Sequence, residues 1–252
     1  LSLGAYQAAL TDFEKAKSLE KERAEAYVGL GWAHNYLAQW EAAEAVFGTA
    51  IAFEQDSADA HFGLGKLLFY QERYEEAAGE FDWVAEIDRG NAEAEAWLAI
   101  ATAHQDDEVE AMGAATRAIS ITETLPLVYV GRSWAYRVQD PPDLERAHGD
   151  LIYARNLAPN DFHPLNALAR FYLEHRPERM SEAEQLAVYA GNWAENPIQE
   201  AVALRTLGRI HLEQGRAADA RNVLNQAADR VTNEGRIVLG GLIDDLERAR
   251  SQ

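Results

Sequence analysis

The chain has 252 residues, of which 48% are hydrophobic and 26% charged, and its formal net charge is −19. This balance excludes a disordered chain, and a strongly acidic protein is a poor ligand for nucleic acids or anionic membranes, which attract cationic surfaces. No apolar run approaches the roughly 20 residues of a membrane-spanning helix, and the absence of cysteine excludes disulfides, thiolate zinc sites and cysteine catalysis.

The charge is distributed unevenly along the chain. Residues 1–126 carry 8 Lys and Arg against 24 Asp and Glu, whereas residues 127–252 carry 15 against 18. The basic side chains therefore concentrate in the C-terminal half. Because the chain begins with Leu1 rather than Met, we expect it to be part of a longer protein, and the sequence assigns no compartment.

The chain repeats itself every 34 residues from its first predicted helix onward. Three sets of aligned positions carry this period: Ala9, Ala43, Ala77 and Ala111; Phe13, Phe47 and Phe81; Tyr6, Trp40 and Tyr74. Within each unit the apolar residues recur three and four positions apart, which is the helical period. Each unit is therefore predicted to be two amphipathic helices, A and B, joined by a short polar turn.

The residue types in the repeat resemble the tetratricopeptide repeat, at that family's own period of 34. One unit reads Tyr27, Leu30, Gly31, His34, Trp40, Ala43, Phe47, Ala50, and a later one reads Leu204, Leu207, Gly208, His211, Ala217, Ala220, Leu224, Ala227. The resemblance implies an all-α, right-handed superhelical solenoid of antiparallel helix pairs. In this family the small residues lie where helices A and B cross closely.

In chain order, the pattern predicts one solenoid domain over residues 1–252. Residues 1–23 form a lone helix B of a truncated repeat, residues 24–232 form about six units, and residues 233–252 form a capping helix through Ile237, Leu242 and Leu246. Insertions near Pro141 and Pro177 fall in the A–B turns of the fourth and fifth units.

The N-terminal edge lacks a helix A to cover its helix B. We therefore expect Leu3, Tyr6, Leu10 and Phe13 to be partly uncovered. An upstream helix of a longer chain or a second copy of this chain would cover them, because exposed apolar patches tend to acquire partners.

Motifs that carry chemistry are weak in this sequence. The segment Ala60–Leu67 resembles a phosphate loop but lacks its first glycine and its hydroxyl residue, and it lies inside a predicted helix. His104 to Glu108 form an acidic A–B turn, and Ser133 lacks the glycine and the strand of a nucleophile elbow. We therefore predict no catalytic residues, no metal site and no cofactor.

The concave face remains as the candidate binding surface, because stacked repeats of this kind line a groove with their A helices. Register places an aromatic-rich group at its N-terminal end and an arginine-rich group at its C-terminal end, and both residue types often anchor protein partners. The predicted contact residues are Trp32, Asn35, Tyr36, Phe62, Lys66, Phe69, Tyr70, Trp97, Trp134, Arg137, Asn166, Arg170, Arg205 and Arg209.

The favoured function is a scaffold that binds a protein or peptide, with an acidic segment of that partner toward the arginines. Some family members hold a peptide carboxylate with a set of Lys, Asn and Arg on successive A helices, but Val28 and Trp32 stand where that set would begin. Three alternatives remain open: a self-assembling homo-oligomeric scaffold, the recognition segment of a larger enzyme or membrane-associated protein, and an enzyme that uses the groove.

Overall fold

The computed structural model describes residues 3–19, 22–233, 236–237 and 239–251. Within these residues the chain forms fourteen α-helices that pack in consecutive pairs, which confirms the all-α solenoid. The helices are α1 Leu3–Leu19, α2 Ala24–Tyr36, α3 Trp40–Phe53, α4 Ala58–Tyr70, α5 Tyr74–Ile87, α6 Ala92–Ala103, α7 Glu108–Ile121, α8 Pro126–Arg137, α9 Leu144–Leu157, α10 Phe162–His175, α11 Met180–Asn192, α12 Pro197–Glu213, α13 Ala217–Arg230 and α14 Leu242–Ser251. The even-numbered helices from α2 to α12 are the A helices.

Glycines allow the A and B helices to cross closely. A Cβ atom added to Gly65 in α4 would lie 2.8 Å from Cε1 of Phe81 in α5, and one added to Gly31 in α2 would overlap the ring of Phe47 in α3. Both phenylalanines are fully buried. The Leu-Gly pairs of the sequence therefore mark positions where a ring of helix B occupies the space of a missing side chain.

Four of the A–B turns share one backbone conformation. Ala38, Glu72 and Asp106, which are 34 residues apart, have φ values of 57°, 62° and 58°, and Gly215 at the last such turn has 71°. Only glycine adopts this left-handed region without cost, so three turns hold a mildly strained residue. The two insertions lengthen the α8–α9 turn and add a 3-10 turn at Pro177–Arg179 before α11.

The C-terminal end differs from the sequence prediction in one respect. The capping helix begins at Leu242, whereas the sequence predicted it from residue 233. Ile237 lies in a two-residue strand, β2 Arg236–Ile237, which pairs antiparallel with β1 Thr232–Asn233. Gly241 has a φ of +64°, a conformation that a right-handed helix cannot include, so the helix starts after it.

The solenoid curls until its C-terminal helices contact its N-terminal ones. The hydroxyl of Tyr6 donates a hydrogen bond to the carbonyl oxygen of Glu195 at 3.3 Å, and the amide of Gly240 donates one to the carbonyl of Tyr70 at 2.9 Å. One buried cluster joins Trp40 and Phe47 near the N-terminus to α12 and α14. Tyr6 is therefore buried, contrary to the expectation of an uncovered edge, while Leu10 and Phe13 are half-buried and the side chain of Leu3 lies outside the described part.

Candidate partner-binding site

Five A helices converge on the interior of the curled solenoid. Side chains from α4, α6, α8, α10 and α12 enclose a small cavity of about 60 Å³, whose walls include Phe69, Trp97, Trp134 and Arg170. We call the A-helix surface that faces this interior the inner surface. Six of the predicted contact residues line this cavity, namely Phe69, Tyr70, Trp97, Trp134, Asn166 and Arg170, and its small volume leaves little space between them.

The predicted contact residues differ in their accessibility. Five are buried at 1–9% exposure, namely Asn35, Tyr70, Trp97, Trp134 and Asn166. The other nine are half-buried: Trp32, Tyr36, Phe62, Lys66, Phe69, Arg137, Arg170, Arg205 and Arg209. In this closed arrangement, a partner reaches the second group more readily than the first, although the side chain of Arg137 is only 9% exposed.

The aromatic residues of the N-terminal half pack mainly against one another. The ring of Trp97 lies 5.1 Å from that of Phe69 and 6.0 Å from that of Phe81, while Trp32 stacks on Tyr36 at 5.7 Å. Such pairs stabilise beyond the burial of their area, by about 0.5–1.5 kcal/mol each. These rings form the packed interior against which α12 closes.

Lys66 lies among these rings and has few polar contacts. Its ammonium is 5.2 Å from the centre of the Trp97 ring, and its nearest carboxylate oxygen, Oε1 of Glu93, is 3.9 Å away, beyond hydrogen-bond distance. Burial lowers the pKa of Lys66, although Glu93 and Glu195 oppose this shift.

Lys66, Glu93, Asp161 and Glu195 surround one end of the lumen, which we call the acidic mouth. A cavity of about 540 Å³ opens there. Asp161 caps α10 by accepting a hydrogen bond from the amide of His163 at 2.8 Å, and Glu93 lies in the first turn of α6. Carboxylates stabilise the positive ends of helix dipoles, so at least these two have a structural role.

The opposite end carries three arginines around one carboxylate, and we call Arg137, Arg170, Arg209 and Glu174 the basic mouth. Arg137 donates a hydrogen bond to Oε2 of Glu174. Arg170 and Arg209 approach Oε1 of Glu174 only to 3.8 and 3.7 Å. Three guanidinium groups against one carboxylate leave a local charge of +2 in a protein of net charge −19.

Trp134 provides an apolar surface for these arginines. Cζ of Arg137 lies 3.7 Å and Cζ of Arg170 4.8 Å from the centre of the Trp134 ring. Each of these contacts is a cation–π interaction, which desolvation strengthens. The indole therefore holds the two guanidinium groups close to each other despite their like charge.

Burial perturbs the ionisation of the basic mouth. It lowers the pKa of Arg137 to about 10 and lowers that of Arg170, since a charged group loses its hydration there. Burial alone would raise the pKa of Glu174, but Arg170, Arg137 and Arg209 together hold it below its usual range. Glu174 is therefore ionised, and the mouth keeps its +2 charge at neutral pH.

Arg205 does not belong to the basic mouth, although it lies one turn before Arg209. Its Nε donates to Asp245 at 2.6 Å, and its Nη1 donates to Glu72 at 2.9 Å and to the carbonyl of Gly240 at 2.7 Å. These contacts tie α12 and α14 to the turn after α4. The guanidinium of Arg205 thus already has three hydrogen-bond acceptors within the molecule.

Sequence reasoning missed Glu174, which organises the basic mouth, and Glu195, which lies at the acidic one. Glu174 follows Arg170 by four residues on the same helix, a spacing that marks a helical ion pair. That signal could have indicated Glu174 beforehand. Glu195 precedes α12 in a loop, and no local pattern brings it to Tyr6.

Other kinds of site find no support in the described residues. Within the described ranges, no group of three or more His, Cys, Asp or Glu side chains is placed to hold a metal ion. Across the same ranges, no helix combines the length and the apolar character needed to cross a membrane.

The comparisons with known proteins agree with this architecture. A family model described as tetratricopeptide repeat matches residues 28–92 and 62–126. No curated protein matches the chain in sequence.

Several solved structures share the fold at low sequence identity. A tetratricopeptide repeat protein from Parabacteroides merdae ATCC 43184 is 13% identical with a TM-score of 0.66, and the match covers 98% of this chain and 93% of that one. A chain of the APC/C hetero-tetramer Cut9–Hcn1 is 13% identical with a TM-score of 0.64, and the match covers 98% of this chain but 46% of that one. A thermophilic repeat protein of Thermus thermophilus is 19% identical with a TM-score of 0.59, over 77% of this chain and 98% of that one. The matched family model identifies residues 28–126 as tetratricopeptide repeats, and the solved structures show that the chain as a whole shares the fold of such repeat proteins.

Proposed function

We propose that this protein is a scaffold that binds a protein or peptide partner on its inner surface, with an acidic segment of the partner at the basic mouth. The tetratricopeptide fold supports a scaffold role, since stacked repeats present extended concave surfaces. The observation that carries the finer proposal is the local charge of +2 at Arg137, Arg170, Arg209 and Glu174.

The accessibility of the arginines favours this end of the inner surface. The side chains of Arg170 and Arg209 are 25% and 29% exposed, whereas Trp97 and Asn166 are almost completely buried. An acidic segment therefore meets the arginines first. The buried aromatic residues contribute to binding only if the curled solenoid opens, and they remain proposed contacts on that condition.

The experiment measures the affinity of the whole chain for a model acidic peptide. The probe is fluorescein-labelled octaglutamate with an amidated C-terminus, and octaglutamine is its neutral counterpart. Binding is followed by fluorescence anisotropy near physiological ionic strength, where the Debye length of about 8 Å screens the distant acidic surface of the protein. We expect octaglutamate to bind and octaglutamine to bind at least tenfold more weakly.

Arg209→Glu is the informative variant, and Arg216→Glu is its matched control. Arg216 is exposed and pairs with Glu184 and Asp219 in the turn after α12, away from the basic mouth. Both variants change the net charge equally, but only Arg209→Glu reverses a charge at the mouth. Equal losses of octaglutamate affinity in the two variants, or equal binding of the two peptides by the unmodified protein, would rule out the proposed orientation.

Self-assembly into a homo-oligomer is the competing proposal. It draws support from Leu10 and Phe13, which are half-buried on α1, although Tyr6 is covered within the molecule. Multi-angle light scattering of the unmodified chain and of Phe13→Glu tests it. A dimer that dissociates in Phe13→Glu would favour assembly through this edge, and a monomer at all concentrations would exclude it.

A further inference from the structure

Arg170 and Arg209 have no hydrogen-bond acceptor among the described residues. Each reaches Oε1 of Glu174 only at 3.7–3.8 Å, and Nε of Arg170 is buried without any partner. A guanidinium group has five N–H donors, and leaving buried donors unsatisfied costs stability. Arg205, Arg132 and Arg73 all have carboxylate hydrogen bonds, so Arg170 and Arg209 stand apart.

Glu174 cannot supply the missing acceptor. Its Oε2 accepts the hydrogen bond from Arg137, which fixes the carboxylate on one side of the mouth. Its Oε1 then falls short of the other two guanidinium groups by almost 1 Å compared with a normal N–H···O hydrogen bond. A carboxylate placed between Arg170 and Arg209 as the acceptor would lie beside Glu174. Its negative charge would be repelled by that of Glu174.

From this geometry we infer that a carboxylate group of the partner binds between Arg170 and Arg209, and that Glu174 weakens this binding by charge repulsion. Paired guanidinium groups match the planar, two-oxygen shape of a carboxylate. In the absence of a partner, Glu174 offsets part of the charge of the two arginines. The inference rests on the proposed function and names the ligand group and the residue that tunes its affinity.

The first test is Glu174→Gln, with binding of the labelled octaglutamate measured by anisotropy. Removing one negative charge about 4–6 Å from the bound carboxylate is expected to tighten binding at least tenfold at the effective dielectric of a half-buried site. The control is Glu200→Gln, at a residue near the start of α12 whose side chain is 37% exposed and which pairs with Arg230 outside the mouth. Glu200→Gln changes the net charge by the same amount and is expected to leave the affinity within twofold.

Glu174→Gln leaves Arg137 without its ion-pair partner, and Arg137 is well buried, so this variant is prone to unfold. A second variant, Arg137→Met with Glu174→Gln, removes both members of the pair and keeps the local charge at +2. Glu174 Oε1 lies within 4 Å of both remaining guanidinium groups, so loss of its repulsion is expected to outweigh loss of the attraction of Arg137. We expect octaglutamate to bind about threefold more tightly than to the unmodified protein.

The source of the carboxylate is resolved with a second peptide, octaglutamine with a free C-terminal carboxylate. Tighter binding of amidated octaglutamate by the variants supports the inference with side-chain carboxylates as ligand, and tighter binding of the second peptide supports it with a chain terminus. If neither folded variant binds either peptide more tightly than the unmodified protein does, the inference is wrong. The proposed function fails separately, when Arg209→Glu and Arg216→Glu bind octaglutamate equally.

Discussion

The two halves of the inner surface use their side chains in opposite ways. In the N-terminal half, Trp97 and Phe69 are packed ring to ring, and α12 closes over them. In the C-terminal half, Arg170 and Arg209 remain about a quarter exposed and lack hydrogen-bond acceptors among the described residues. The sequence suggested one continuous groove, whereas the structure separates a closed aromatic region from an accessible basic one.

This difference shows why residue type alone does not identify a binding surface. Burial of an aromatic ring contributes to stability by removing apolar area from water, so rings on a concave face gain by closing on each other. Burial of an unpaired guanidinium costs stability, so the partly buried arginines of the basic mouth require an explanation other than stability. We propose that the arginines are the recognition element and that the aromatic residues close the solenoid.

The largest expected effect is on the stability of the aromatic half. Trp97→Ala is expected to lower the free energy of unfolding by about 3–5 kcal/mol, because it removes a ring that contacts Phe69, Phe81 and His163. Urea unfolding followed by circular dichroism measures the change. The control is Trp193→Ala, at a position 48% exposed, where the loss is expected to stay below about 1 kcal/mol. Similar losses in both variants would mean that the aromatic half is not a packed interior.

The next effect concerns the helix crossings that build the aromatic half. Gly65→Leu is expected to cost about 3 kcal/mol, because even a Cβ atom would lie 2.8 Å from the fully buried Phe81 ring. Glu75→Ala, on the exposed side of α5, is expected to change stability by less than about 0.5 kcal/mol. Denaturant melts that give equal costs for the two changes would show that the repeat register is misplaced.

Much of the fold was predictable because the repeat is local in sequence. Gly65 and Phe81 lie on consecutive helices joined by one A–B turn. Their spacing recurs every 34 residues, so the sequence indicates the same helix crossing several times. The closure was not predictable in this way. The contacts of Tyr6 with Glu195 and of Arg205 with Glu72 join residues more than 130 positions apart, and they depend on small rotations that accumulate over many repeats.

The contrast between local and long-range contacts also explains which arginines of the inner surface are free to bind a partner. Register placed Arg170, Arg205 and Arg209 on one face. Arg205 is hydrogen-bonded to Asp245 and Glu72 whereas Arg209 is not, and this distinction arises from the curl of the chain. The start of the capping helix was misplaced because two glycines at 240 and 241 interrupt an otherwise helical apolar pattern.

A pH effect is expected at the junction of the two halves, where His104 stacks on Tyr74 and contacts Trp134. Burial, followed by the charges of Arg170 and Arg137, lowers the pKa of His104 to about 3. Its unfolded pKa is near 6.5, so the unfolded chain gains a proton first as the pH falls, and stability decreases between about pH 6.5 and pH 3.

His104→Phe removes this proton linkage while keeping an aromatic ring in place. Between pH 7 and pH 5, the free energy of unfolding of the variant is expected to fall by roughly 2 kcal/mol less than that of the unmodified protein. Urea unfolding at the two pH values gives the comparison. If the free energy of unfolding falls by the same amount in the variant and in the unmodified protein, His104 is protonated in the folded protein at pH 5.

The smallest effect on the free energy of unfolding is expected for Arg170→Met. This variant also separates the two halves most directly. The methionine keeps most of the side-chain stem over Trp134 and removes a charge that has no hydrogen-bond acceptor among the described residues. The free energy of unfolding is therefore expected to stay constant or rise by up to about 1 kcal/mol. Octaglutamate affinity is expected to fall about tenfold, since one guanidinium of the binding pair is lost.

Arg132→Met provides the matched comparison on α8, because Arg132 is 29% exposed and Arg170 is 25% exposed. Arg132 donates hydrogen bonds to both carboxylate oxygens of Asp150 at 2.7 and 2.8 Å, and Asp150 is buried. Its replacement leaves a buried carboxylate without a partner, so a loss of roughly 1–3 kcal/mol is expected, with no change in octaglutamate affinity. A loss of stability in Arg170→Met as large as that in Arg132→Met would show that Arg170 has a structural rather than a recognition role.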